Sequence, residues 1–426
     1  MKEEFLHYVW QYKLFETGNL KTTDNQEIKI IKSGQLNSNA GPDFFNAQIK
    51  IGETIWAGNI EIHLKSSDWN HHQHQNDAAY DNVILHVVYE HDLEINNTKN
   101  QIIPTLELKK RIIPSLINNY QSLLKSKSWI ACQSQLNLVD SFTINSWMER
   151  LVYERLERKV GEIEQILNQN KNDWESTYYQ LLLKYIGLKV NALPFEMLAK
   201  NTPLIMLEKH RSLLSIEALL FGQAGFLAQN ITDEYFQKLQ KEYQFLKAKF
   251  NLIPINIELW KFLRLRPNNF PTVRIAELAS LLSQHPRMFS QIISFNEIKE
   301  VKKLFNVQAN EYWNNHYLFG KPTHQTIKKQ FGDLIINNII INVIVPLVFV
   351  YGKIKNDENI VEQSRNWLEQ VKPEQNSIIK NWKSLQLKIE NAMHSQALIE
   401  LKNNYCSEKK CLNCSIGNKI LKTNAI

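Results

Sequence analysis

The hydrophobic pattern of this chain changes period near residue 110, and that change limits the possible folds more than any other feature. Before it, apolar residues come in short alternating runs: EIKIIKSG from Glu27, AQIKIG from Ala47, TIWAGNIEIHLK from Thr54, NVILHVVYEHD from Asn82 and IIPTLELKK from Ile102. A period of two puts successive side chains on opposite faces of a strand, so these runs are predicted strands, preceded by a helix from Glu3 to Phe15. After it, helical spacing takes over, as in SWMERLVYERLERKVGEIEQILNQ from Ser146, where Leu151, Leu156, Val160, Ile163 and Ile166 or Leu167 share one face. The expected fold class is α+β: a mixed α/β domain over residues 1–110, then a larger all-α domain over 111–426 that carries a cysteine-rich, metal-binding end.

A chain of 426 residues has length for two or three domains, and 43% hydrophobic with 22% charged residues excludes a disordered polymer or a small stapled scaffold. The net charge of +7 tilts the choice of partner toward an anion such as nucleic acid. MKEEFLHYVWQYKLFE at the start lacks the uninterrupted apolar stretch and small-residue cleavage site of a secretory signal, so a cytoplasmic location is expected. The uncharged run from Leu334 to Tyr351 invites a membrane reading. Asn337, Asn338, Asn342 and Pro346 argue for a buried core helix instead, and no membrane partner is expected.

Alternation in the third strand places Glu61, His63 and Lys65 on one face and Ile62 and Leu64 on the other. Asp43 follows the turn signal Gly41-Pro42, and antiparallel pairing of its strand with 54–65 brings its carboxylate beside Glu61. Two carboxylates at one sheet edge are hard oxygen ligands of the kind Mg²⁺ or Mn²⁺ takes, and a nearby His or Lys can orient an attacking water. The plain alternative is the solvated face of an antiparallel sheet. A rival acid-x-lysine, Glu107-Leu108-Lys109, has no Pro-Asp strand start at hairpin distance before it.

The opening helix, the Pro-Asp strand start, the acid-x-basic triplet and the helix and strand that follow resemble the core of the PD-(D/E)XK phosphodiesterase superfamily, which includes many restriction and repair nucleases. The resemblance implies a restriction-endonuclease-like core, Asp43 and Glu61 as metal-binding acids, and the carbonyl of Ile62 as a third ligand. His63 stands where that superfamily carries lysine, with Lys65 one pleat further on. GPDFFNAQI, GNIEIH, SSDW and NVILHVV, with the C-terminal cysteines, also look like an uncharacterised bacterial family of unknown function, a likeness that supplies no activity.

Six of the 12 histidines lie between His63 and His91. His72-x-His74 could bind Zn²⁺ with Asp77 or His86, or His72, His74 and Asp68 could form a mobile loop over the carboxylate pair that contacts phosphate or acts as general acid, the plain alternative being an exposed polar loop. His86, inside an apolar strand, reads first as a core histidine. Cys406-x4-Cys411-x2-Cys414 with the remote Cys132 makes a four-thiolate set suited to structural Zn²⁺ or a [4Fe–4S] cluster. Lys261, Arg264, Arg266 and Arg274, interleaved with Trp260 and Phe270, could hold a phosphate backbone or pair with acids of neighbouring helices. The expected function is a metal-dependent nuclease. Its rivals are a non-catalytic nucleic-acid-binding or scaffold protein and a His-ligated zinc enzyme acting on a small molecule.

Overall fold

The computed structural model describes residues 1–37 and 39–423. They fall into two compact units, Met1–Trp147 with Leu401–Ile426, and Met148–Glu400. This division departs from the change of periodicity at 110: the helix Pro114–Lys125 and the cysteine-bearing C-terminal stretch belong with the sheet. Periodicity records local structure, whereas membership of a compact unit depends on which faces pack.

The first unit is built on a mixed sheet in the order β1-β2-β4-β5-β6-β7, with β3 also on β4. Its strands are β1 (Leu20–Lys21), β2 (Glu27–Lys32), β3 (Gln35–Leu36), β4 (Phe44–Ile51), β5 (Thr54–Lys65), β6 (Val83–Glu90) and β7 (Thr105–Glu107). From β2 through β4 to β5 the pairing is antiparallel, and from β5 through β6 to β7 it is parallel. A parallel pair needs a crossover. Here it is the short helix α2 (Asp68–His71) followed by single turns at His74–Asn76 and Ala78–Tyr80. Residues Val83 to Val88 of β6 are all buried, as expected of a strand covered on both faces.

The opening helix α1 (Glu3–Gln11) packs against β5 and buries Phe5, Leu6, Val9 and Trp10 completely. It stops short of Phe15 because Lys13 takes a left-handed φ of 51°. Pairing of Phe44 with Ile60 sets Asp43, just ahead of β4, across from Glu61. The β4–β5 register shifts between Phe44 and Ala47, where Asn46 has a φ of 56°; such a bulge twists the strand and re-aims the residues at its end.

The second unit is mainly helical. Its apolar stretch Asp333–Lys355 is the one helix among the described residues long and apolar enough to cross a membrane, and 72% of its most apolar window is buried in the protein. A π-helical turn at Ile340–Ile344 precedes Pro346, an adjustment that absorbs the amide proline lacks. Asn342 accepts a hydrogen bond from buried Arg155 at 2.9 Å and donates to the Asn338 carbonyl at 3.1 Å. Its polar side chain is thereby satisfied inside a protein core.

Glu217, on the helix Leu213–Gln223 of this unit, is fully buried. Neither of its carboxylate oxygens makes a well-formed hydrogen bond among the described residues; Tyr235 and Asn310 stand near enough to offset only part of the burial, which pushes its pKa up to about 7. The unfolded chain releases this proton near the ordinary carboxylate pKa and the folded chain holds it to about 7. Stability is therefore lost as pH rises between those values and then levels off. Glu217→Gln is expected to raise stability at pH 8 by about 3 kcal/mol and to leave it almost unchanged at pH 4, read from denaturant unfolding at both pH values.

Candidate functional site

The end of β5 and the crossover to β6 gather the acids and histidines into one place. The Asp43 amide donates to Glu61 Oε2 at 3.1 Å, and Asp43 Oδ2 accepts from the Ile62 amide at 3.0 Å. The two acids therefore lock each other through main chain, and each spends an oxygen doing so. Ile62 enters through its amide while its side chain lies in the core. On the helix side, His7 Nε2 stands 3.1 Å from Asp43 Oδ2. Burial pulls the His7 pKa down, but Asp43, Glu3 and Glu61 outweigh it and the net shift is upward. Glu3, one turn earlier on α1, is pushed up to about 7 by burial and then by the charge of Asp43.

The other oxygen of Glu61 faces the histidines. Oε1 lies 3.3 Å from His74 Nε2 and 3.6 Å from His63 Nε2, while His63 Nε2 lies 3.1 Å from His72 Nδ1. His63, His72 and His74 each present a nitrogen, and these all fall within 4.8 Å of one another. In a tetrahedral site with metal–nitrogen bonds of 2.0–2.1 Å, donor atoms sit about 3.3–3.4 Å apart. The three separations bracket that value.

Two further observations bear on whether the cluster could hold an ion. At 3.3 Å, His74 Nε2 is off the direction a hydrogen bond to Glu61 needs, so this buried nitrogen has no hydrogen-bond partner among the described residues. Buried polar atoms are rarely left so, and two groups aimed at a third atom between them produce this geometry. His63 is neutral: burial, followed by the fields of His72 and His74, drives its pKa down to about 3. Its Nδ1 is 2.8 Å from His86 Nε2, and His86, fully buried, is held well below its usual pKa by burial and then by His63. A proton on His63 Nδ1 donated to His86 leaves the Nε2 lone pair facing the cluster, the orienting arrangement of metal-ligating histidines. Burial also raises the Glu61 pKa, more than the contact with His74 lowers it. A cation beside Glu61 relieves that cost.

Local chain geometry explains why the histidines converge. Ser66 and Ser67 tie the end of β5 to Asp92 past the end of β6, and Asp68 accepts from the Lys65 amide to start α2. Gln73 then takes a φ of 62°, which turns the chain so that His74 returns inward while His72 stays exposed on the solvent side. The His74 ring is stacked between Tyr80, at 3.8 Å, and His63, at 5.4 Å. Trp69 packs edge-on against both His74 and His86.

Other residues singled out in the sequence sit elsewhere. Lys65 is exposed near Asp92, because the face it shares with Glu61 and His63 leaves the core at the strand end. Asp68 serves as a turn acceptor and Asp77 caps the turn at Ala78–Tyr80. Glu107 accepts from the His91 amide and Lys109 pairs with Glu90, so both members of the rival acid-x-lysine hold structure. In the second unit Lys261, Arg264 and Arg266 are exposed. Arg274 is not: it is buried against Glu277 at 2.6 Å and Asn269 at 2.5 Å. Trp260 is buried too, its indole donating to the Ala224 carbonyl, so it offers no face on which a base could stack. Cys132, Cys406, Cys411 and Cys414 line one small cavity in the first unit. Glu3 and His7 were missed in the sequence, although their spacing of four on the opening helix puts them on one face.

Residues 3–377 match the model of a family described as a protein of unknown function (DUF2851), and the chain belongs to that family. The matched residues end ahead of Cys406. No curated protein and no solved structure is recognisably similar.

Proposed function

We propose that this member of the family is a metal-dependent hydrolase of phosphodiester bonds, with nucleic acid as its substrate class. The observation that carries the reading is Glu61, one of whose oxygens accepts from the Asp43 amide while the other lies beside His63 and His74, two of three converging imidazoles. The order of elements supports phosphodiester chemistry. A helix, an antiparallel run of β2, β4 and β5, a crossover and the parallel β6, with acids at the start of β4 and within β5, is the order expected of a restriction-endonuclease-like core. This support is analogy of fold, so it ranks below the site itself. Exposed Lys261, Arg264 and Arg266 and the net charge of +7 suit a polyanion.

His63, His72 and His74, with Glu61, would hold the ion. A donor set this rich in imidazole suits Zn²⁺, accommodates Mn²⁺ and serves Mg²⁺ poorly. A divalent ion bound there supplies an activated water and polarises a phosphoryl oxygen. The residues of the chain do the rest. His86 fixes the tautomer of His63, and Tyr80 and Trp69 hold His74 in place. His7 and Asp43 form a proton-accepting pair beside the acid, and His72 leaves the cluster open to solvent.

A second reading, a zinc hydrolase acting on a small molecule, is favoured by the outward turn of Lys65, which leaves the site short of a phosphate-binding cation. One panel separates the readings: single- and double-stranded DNA and RNA alongside small esters and amides, each with Zn²⁺, Mn²⁺ or Mg²⁺, for wild type and His72→Ala. Nucleic-acid cleavage that needs Zn²⁺ or Mn²⁺ and is lost in His72→Ala is the expected result. Turnover of only the small substrates moves the assignment to the second reading. Turnover of nothing by metal-loaded wild type overturns the hydrolase and favours a binding or scaffold role.

A further inference from the structure

All four cysteines of the chain lie in the first unit, three of them between residues 406 and 414 and Cys132 remote from these in sequence. Cys132 precedes the turn Gln133–Leu138. Cys406 closes the turn Leu401–Cys406, Cys411 opens the turn Cys411–Asn413, and Cys414 starts the helix Ser415–Lys422. Together they line a single small cavity with Ala131, Tyr405, Lys410 and Gly417. Cys132 and Cys406 each lie within electrostatic range of Cys411 and Cys414. All four are free thiols, and Cys132 and Cys414 are buried.

The backbone around this cavity is built to close tolerances. A Cβ on Gly417 would stand 2.2 Å from the Cys411 carbonyl oxygen, so only glycine lets the helix start this near the loop. The loop is also fastened to the stretch that leads to Cys132. Lys402 Nζ donates to the Trp129 carbonyl at 2.9 Å, Lys409 Nζ to the Ser126 carbonyl at 3.1 Å, and Asn119 Nδ2 to the carbonyls of Leu421 and Thr423 at 3.2 and 3.0 Å. Packing alone explains one buried cysteine well, since a thiol is a small apolar filler. It gives no reason for four sulfurs from two distant stretches to surround one cavity.

We propose that Cys132, Cys406, Cys411 and Cys414 bind one thiolate-ligated metal centre, zinc or an iron–sulfur cluster, that fastens the C-terminal stretch 401–423 to the segment around Cys132. Four cysteine sulfurs are a complete ligand set for either, and no three of them lie within 4.8 Å of one another, a spread that favours the wider cluster over a zinc tetrahedron. In both cases the centre is closed and structural and leaves no position for substrate. Binding free energy is then folding free energy for this stretch, because the cavity does not exist in the unfolded chain.

The test uses the full chain carrying His72→Ala and His74→Ala, so that metal at the histidines does not enter the count. Purified without chelator and under exclusion of oxygen, this protein is expected to hold either one zinc per chain and no colour, or iron with acid-labile sulfide and visible absorption. Adding Cys411→Ser and Cys414→Ser removes it. Should those variants fail to fold, cobalt added to the metal-stripped His72→Ala, His74→Ala protein reports instead: an intense sulfur-to-cobalt charge-transfer band is expected, together with protection of all four thiols from alkylation. Protein that holds neither zinc nor iron and gives no such band overturns the proposal.

Discussion

Glu61→Gln is expected to lower metal-dependent hydrolysis on the order of 10³-fold while leaving the protein as stable as wild type or slightly more so. The substitution keeps the shape of the side chain and both of its polar atoms but removes the charge that faces His63 and His74. Metal-borne stabilisation of a phosphoryl transition state is worth several kcal/mol, so if Glu61 is the proposed charged ligand its loss reads as a factor of about a thousand. Stability moves the other way because burial already disfavours the ionised carboxylate, as its raised pKa records. An amide oxygen at the position of Oε2 still accepts from the Asp43 amide, so the pairing of β4 with β5 survives. Steady-state rates with saturating Zn²⁺ or Mn²⁺, set beside thermal unfolding of the metal-free proteins, make the check. Loss of activity that tracks loss of fold would assign Glu61 a structural role only.

Trp69→Ala is expected to destabilise the first unit by about 3–5 kcal/mol and to weaken metal binding about 10–100-fold. Trp69 is fully buried in a cluster with Val83, Ile95 and Ile103, and Tyr80 packs against it. Its indole donates to the Asn96 carbonyl at 3.1 Å, so truncation opens a cavity and also strands an acceptor. The ring is also the surface on which His74 and His86 rest, at 5.3 and 5.5 Å. Without it His74 gains rotamer freedom, and the entropy of fixing that ring falls on the metal-binding step. Denaturant unfolding of the metal-free protein and zinc affinity by competition with a chromophoric chelator separate the two effects. A fall in stability with unchanged affinity would mean that the cluster is held without the indole.

The parts of the fold that depend on near neighbours were legible in the sequence. The run Thr54–Lys65 is a strand at the limits its alternation suggests, and the Pro-Asp start leads directly into β4, with Asp43 opposite Glu61. The buried reading of the apolar stretch ahead of Tyr351 followed from three asparagines and a proline that lipid would not accommodate. What depends on long-range packing was hidden. Nothing in the spacing of Glu3 and His7 says that their face of α1 meets Asp43, and nothing in LRLRPNNFPTVR says that Arg274 folds back on Glu277. His72 and His74, two apart, would point to opposite sides in a strand. Their convergence on His63 requires the left-handed residue Gln73, a conformation that sequence alone gives little reason to expect of glutamine. The sequence accordingly left open whether the His-x-His pair forms a separate zinc site or lies over the acid pair, and Glu61 stands beside both Asp43 and His74.

The most direct test of that joined site is anomalous X-ray diffraction at the zinc edge from crystals of the full chain soaked in Zn²⁺, with the same soak on His72→Ala. The predicted result is a peak bounded by His63 Nε2, His72, His74 and Glu61 Oε1 at about 2.0–2.2 Å, absent in the variant. A zinc peak on Asp43 and Glu61 away from the imidazoles, or none near either after saturation, would contradict it.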